Sequence, residues 1–226
     1  MTTAATSMST TSMIETAKRN LSRIDREHVP NAEDRHKVCL TREYQWQVVT
    51  AKEYFLKIRE YWKQMSNYIM TTRFNQSTYR ENRAFCEKQR GGAVKCVYCC
   101  PLPVLAKIPQ ERYMFVLEMN NEVNRIMGIG LVRNRYGIRR FAVYSNMSYN
   151  RYVYVGKHRI DRAEMTAEEE RVMQWLDSVC FKGANHMKRG QGMTAFPVEI
   201  MFQLSCIMDL PLFMKEMFQS RMRGDK

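Results

Sequence analysis

Residues 113–133 read YMFVLEMNNEVNRIMGIGLVR, two apolar runs around a polar break. Tyr113–Met119 is apolar on both faces, the pattern of a central strand covered from two sides. Asn120–Asn124 is the break, and Ile126–Val132 resumes the apolar pattern, so the segment predicts a hairpin with a five-residue loop. Gly128 and Gly130 fall on one face of the second strand. Glycine weakens a strand, so the pair predicts sheet curvature, as at a bend in a barrel, or a close backbone approach; a functional version is a flat floor under a base or ribose. It is not a dinucleotide fingerprint, because no third glycine and no helix follow.

N-terminal to this hairpin, Ala93–Cys100 is rich in β-formers and stops at Pro101 and Pro103, which cannot donate to a ladder. The polar stretch Thr71–Gly92 reads as an Arg-rich loop. Before it, Lys52–Met65 carries Tyr54, Phe55, Ile58, Tyr61, Trp62 and Met65 on one face of a 3.6-residue period, which predicts a helix. Tyr44–Val49 reads as a strand. Residues 1–35 show Ser/Thr density and no sustained period, so they are expected to form a flexible arm ahead of a single α+β domain over 36–226.

C-terminal to the hairpin, Arg139–Ser145 and Tyr152–Ile160 supply two more strands. Thr166-Ala-Glu-Glu169 is a capping box opening a helix through Val172, Trp175, Leu176 and Val179 that stops by Gly183. Pro197 opens a second helix and Asp209 caps a third, whose buried stripe is Leu210, Phe213, Met214, Met217 and Phe218. Six strands with tight polar turns predict a curled, mostly antiparallel sheet or small barrel flanked by helices, an α+β fold.

The composition of the 226 residues is globular, with 45% hydrophobic and 26% charged side chains. No run of about 18 apolar residues is present, so no membrane partner is expected. Met1–Met13 lacks the apolar core of a secretory signal, and the seven cysteines read as free thiols of a reducing compartment. The net charge of +13 points to a polyanion. Its distribution is uneven: residues 125–162 hold Arg125, Arg133, Arg135, Arg139, Arg140, Arg151, Lys157, Arg159 and Arg162 against Asp161 alone. The strip is interleaved with Tyr136, Phe141, Tyr144, Tyr149, Tyr152 and Tyr154. Arginine forks grip phosphates and aromatic rings stack on bases, so the segment predicts nucleic-acid contact; a solvated basic face is the plainer alternative. Arg133, Arg135, Arg139, Arg140, Arg151, Lys157 and Arg159 are assigned to phosphates, and Tyr149, Tyr152 and Tyr154 to bases.

Residues 185–192, NHMKRGQG, join two helices. His186, Lys188, Arg189, Gly190 and Gly192 are expected to hold a further phosphate, since glycines at positive φ turn backbone N–H groups toward one anion; an ordinary basic turn is the alternative. Cys96 and Cys99 have the spacing of zinc ligands, and His36 with Cys39 would complete a set, but a single C-x-x-C predicts buried thiols first, and no metal or cofactor is expected. No spacing ties His158, His186 or Cys180 into a triad, and no clustered carboxylates accompany the basic strip. A binding module is therefore favoured over an enzyme, with no catalytic residues assigned.

Residues 124–134, Tyr149–Tyr154, Arg159–Arg162, and Phe181–Gly183 with His186–Gly192 resemble a family of uncharacterised proteins from large double-stranded DNA viruses. The resemblance spans about residues 90–200. It implies a viral protein made in the cytoplasm or nucleus of an infected cell, or packaged in the virion with other virion proteins as partners. In architecture, a strand and helix followed by a meander whose central strand carries Gly-x-Gly is similar to the PUA-like group (ASCH, EVE and YTH domains), small β-barrels that bind RNA or modified bases. That likeness implies a base pocket drawn from Trp46, Tyr98, Gly128, Gly130 and Trp175. The expected function is binding of nucleic acid, RNA ahead of DNA, without chemistry. The alternative is a virion structural or assembly protein docking an acidic partner or the packaged genome.

Overall fold

The computed structural model describes residues 35–39, 46–89, 93–104, 107–137, 141–184, 186–205 and 207–224, with 35–39 and 46–49 described as backbone only. The fold is α+β, with five α-helices among the described residues. Strands β1 (Arg35–Cys39) and β2 (Trp46–Thr50) pair antiparallel as a separate ribbon. Helix α1 (Ala51–Gln64) follows directly, because Thr50 and Glu53 form a reciprocal capping box at its start.

The main sheet contains β3 (Tyr68–Phe74), β5 (Tyr113–Asn120), β6 (Arg125–Arg133), β8 (His158–Asp161) and β9 (Thr194–Ala195) in the order β8-β6-β5-β3-β9. It is open, with β8 and β9 at its edges, and mixed, since β3 and β5 run parallel while the other pairs are antiparallel. The β5–β6 hairpin forms as its apolar pattern predicts, with a register shift between Leu117 and Met119. Alternation along β5 sends Phe115, Leu117 and Met119 to one face and Met114 and Val116 to the other. The first face packs against α3 (Ala167–Phe181), α4 (Val198–Leu204) and α5 (Leu210–Gly224). Both helix starts follow the sequence: Thr166 and Glu169 form the expected box, and Asp209 accepts from the Leu212 N–H at 3.0 Å.

The second face carries α2 (Gln76–Lys88) and a two-stranded ribbon of β4 (Cys96–Cys100) and β7 (Tyr152–Gly156). The ribbon crosses the strands beneath it. Cys96 lies against the Leu131 and His158 carbonyls, the Tyr98 hydroxyl reaches Glu118 on β5, and Cys100 accepts from Met193 next to edge strand β9.

Three expectations are corrected. The described part of Thr71–Gly92, 71–89, is not a loop, because it completes β3 and forms α2. β3 is polar yet buried because Thr71 shares a hydrogen bond with Thr194 (3.0 Å) and Arg73 donates to Met187 and Thr194, partners more than a hundred residues away. α2 begins at a cap in which Asn75 and Thr78 satisfy each other's backbone N–H. The described part of Arg139–Ser145, 141–145, is irregular and not a strand, and it leads into a 3-10 turn at Met147–Tyr149. Tyr152–Ile160 is two strands, since the chain leaves the ribbon after Gly156 and joins the main sheet at His158.

Candidate nucleic-acid interface

The basic strip divides by burial. Arg159 is buried, with its side chain 6% exposed, and forks onto Glu118 with Nε–Oε1 at 3.0 Å and Nη2–Oε2 at 2.7 Å, while Nη1 meets Asp161 at 2.7 Å. Burial alone disfavours its charge, but Glu118 outweighs that and raises the guanidinium above its ordinary pKa. Arg162 is likewise buried against Glu170 and Asp177 and donates to the Ile126 carbonyl. Neither guanidinium is open to a phosphate.

The exposed members gather around the end of β6 and the start of β7. The Arg133 side chain lies over the Tyr113 ring at 4.8 Å and donates to its hydroxyl at 2.7 Å. Arg133 and Arg135 share Glu111 at 3.5 and 3.6 Å in pairs exposed enough to be weak. Tyr136 follows, 45% exposed, with its ring edge-on to Tyr152 at 5.1 Å, and Arg151 lies over the Tyr152 ring at 5.5 Å. Gly137 bridges to Val153, which fixes this segment beside the ribbon. Lys157 is exposed on the turn between β7 and β8. Among the described residues, no carboxylate lies within 4 Å of Arg151 or Lys157. Three cations, Arg133, Arg135 and Arg151, thus cluster with three rings, Tyr113, Tyr136 and Tyr152, the last of them half-buried.

Other predicted members lie elsewhere. Tyr154 is buried, and its hydroxyl accepts from the Val104 N–H at 2.9 Å, so it cannot stack on a base. Tyr149 is half-buried with its ring edge-on to Tyr144. Arg139 and Arg140 lie outside the described residues, as do the side chains of Trp46, His36 and Cys39. Tyr113 was missed as a site residue because its strand reads as wholly covered; being the first residue of β5, it escapes that cover.

The base pocket does not assemble. Trp175 is buried on the helix-covered face of the sheet and Tyr98 on the ribbon-covered face, so the sheet separates them. Gly128 and Gly130 are not a floor for a ligand, because the protein's own side chains fill the space above them. A Cβ on Gly130 would lie 1.8 Å from the Tyr98 hydroxyl, and one on Gly128 would lie 2.7 Å from an Arg159 nitrogen. Both side chains converge on Glu118, Tyr98 at 2.8 Å.

Cys96 and Cys99 are both buried, three apart on one strand and therefore facing opposite ways. Among the described residues, no group of three or more His, Cys, Asp or Glu is placed to hold a metal. Burial pushes the Cys96 thiol up to about 12.

The glycine loop lies along the β3–β9 side. Lys188 is held near the C-terminal end of β5 by the Asn121 side-chain amide, which donates to its carbonyl at 3.0 Å. His186 accepts from the Lys188 N–H at 3.4 Å. Gly190 and Gly192 both adopt positive φ, and a Cβ on Gly192 would lie 3.0 Å from that of Cys100, which pairs with Tyr152. One end of the loop thus approaches the ring-and-cation surface, and the other sits at the far end of β5, about 26 Å from Tyr113 along the strand.

No family model, curated protein or solved structure matches the chain.

Proposed function

We propose that the protein binds single-stranded nucleic acid, RNA ahead of DNA, without carrying out chemistry on it. The observation that supports this reading is the clustering of the exposed guanidinium groups of Arg133, Arg135 and Arg151 with the exposed rings of Tyr113 and Tyr136 and the half-buried ring of Tyr152. Rings offer stacking faces that any base can use, and guanidinium forks grip the intervening phosphates. A single strand presents its bases to such a surface, whereas a duplex stacks them away inside. Docking onto an acidic virion partner uses the same charge but leaves the exposed rings without a role, so nucleic acid is the preferred occupant. The finer architectural reading, a PUA-like domain, belongs to the same proposal and rests on the order strand, helix, meander with Gly128-x-Gly130 in the central strand. Its setting is the cytoplasm or nucleus of a cell infected by a large double-stranded DNA virus, or the virion, as the sequence resemblance implies.

Fluorescence anisotropy with labelled single-stranded RNA and DNA across a salt series tests the proposal. With Arg133, Arg135, Arg151 and Lys157 on phosphates, the log–log salt slope is expected near about −3, at roughly −0.7 per contact. Absent or salt-insensitive binding to both strands overturns it.

A further inference from the structure

Arg73, near the end of β3, is half-buried and is held differently from the two buried guanidinium groups. Arg159 and Arg162 face carboxylates. Arg73 spends Nε on the Met187 carbonyl at 2.6 Å and Nη1 on the Thr194 hydroxyl at 2.7 Å, and no carboxylate among the described residues lies within 4 Å of it. Burial pulls this guanidinium below its ordinary pKa, as expected of a cation that the chain leaves unbalanced.

The two bonds pin both ends of the segment 187–194, which arches over the guanidinium. Gly190 packs against it, with φ +115° and a Cβ position 3.6 Å from Arg73 Cζ. Along the arch, no hydrogen bond among the described residues engages the backbone N–H of Arg189, Gly190, Gln191 or Gly192. Lys188 and Arg189, on the same segment, also have no carboxylate within 4 Å among the described residues. Glu122, beside the Asn121 that holds Lys188, accepts instead from the Gln76 N–H at 3.2 Å. A run of free N–H groups carrying residues at positive φ, next to an unbalanced guanidinium, has the donors and the charge that a tetrahedral oxyanion needs.

We propose that this arch is a phosphate-binding site, with the half-buried Arg73 as its anchor, Lys188 and Arg189 as its outer cations, and the amides of 189–192 as its donors. It rests on the nucleic-acid reading only for the source of the phosphate: a strand lying on Tyr152 reaches the arch where Gly192 meets Cys100.

Titration of inorganic phosphate into the isotopically labelled full chain, followed by amide NMR, tests the site. Saturable shifts are expected at Arg189–Gly192 and should weaken at least tenfold in the double variant Lys188→Ala/Arg189→Ala. Arg73→Lys, which keeps the charge and loses the fork, should weaken them without melting the sheet. Absence of saturable shifts, or shifts indifferent to both variants, overturns the proposal. A short single-stranded oligonucleotide then separates the sources. If it displaces phosphate from the arch, the phosphate of a strand is the ligand. If phosphate saturates the arch while the oligonucleotide binds nowhere on the protein, the site stands and the nucleic-acid reading falls. Oligonucleotide binding at Tyr136 and Tyr152 with a silent arch overturns the site and leaves that reading standing.

Discussion

The Tyr98 hydroxyl fills the space above Gly130, so that a Cβ on Gly130 would lie 1.8 Å from it, and donates from there to Glu118 at 2.8 Å. Tyr98 is wholly buried between the ribbon and the sheet, so it cannot swing away. Gly130→Ala is expected to destabilise the fold by at least about 2 kcal/mol through overpacking. Urea unfolding of the variant measures it, and a loss under about 0.5 kcal/mol would contradict the placement of Tyr98.

Arg159 and Arg135 belong to one basic strip in sequence and are expected to respond oppositely to substitution. Arg159→Met leaves Glu118 buried without its partner and should cost about 3–5 kcal/mol of stability. The nucleic-acid affinity of the molecules that remain folded should stay within about twofold of wild type, since no phosphate reaches Arg159. Arg135→Ala, on a side chain 76% exposed, should leave the urea midpoint unchanged and make the salt slope shallower by about 0.7. Parallel unfolding and anisotropy measurements on the two variants check the division.

Tyr136 and the exposed part of the half-buried Tyr152 lie edge-on to each other as candidates for stacking. Replacing either with Ala is expected to weaken single-strand binding by about 1–3 kcal/mol, whereas Phe at the same positions should retain most of the affinity. Equal losses for Phe and Ala would point to hydroxyl contacts in place of stacking.

Acid should destabilise the protein through its helix-side carboxylates. The Arg162 guanidinium holds Glu170 below the usual carboxylate range. At Glu169, burial favours the neutral acid, but the Arg221 fork and the Thr166 cap outweigh it and hold its pKa low as well. A carboxylate depressed in the folded state contributes stability that is present above its unfolded pKa and lost as the pH falls through the folded one. Urea midpoints should therefore hold level above about pH 5 and drop below about pH 4. Arg221→Ala should make the drop shallower by removing the contribution of Glu169.

Cys86, Cys96, Cys99, Cys100 and Cys180 are all free and buried. Burial pushes the Cys180 thiol up to about 12 and that of Cys100 up to about 11, so thiolate is scarce at neutral pH. Of the seven cysteines, these five are expected to react with a thiol reagent only after denaturant is added. Rapid reaction of more than two thiols in the native protein would count against the buried ribbon.

Elements governed by contacts close along the chain were legible from the residues alone. The helical period over 52–65, the reciprocal cap of Thr166 and Glu169, the stop at Gly183 and the apolar hairpin around Asn120–Asn124 each depend on neighbours a few positions away, and each appears where its pattern places it. The concentration of charge in residues 125–162 was equally plain. What composition could not divide was that strip. Arg133 and Arg159 have the same chemistry, and only a buried carboxylate on a different strand takes Arg159 from the surface.

β3 and the Gly128-x-Gly130 pair make the same point. A strand holding Thr71, Thr72 and Arg73 looks like a solvated loop until Met187 and Thr194 arrive from more than a hundred residues away to satisfy Thr71 and Arg73. The two glycines announce that something comes close, but not what; Tyr98 and Arg159 are brought there by the ribbon and by β8. Periodicity and capping are local free energies carried in the chain order. The burial of a polar group becomes favourable only when a distant partner replaces the water it gives up, and that pairing exists only in the assembled fold.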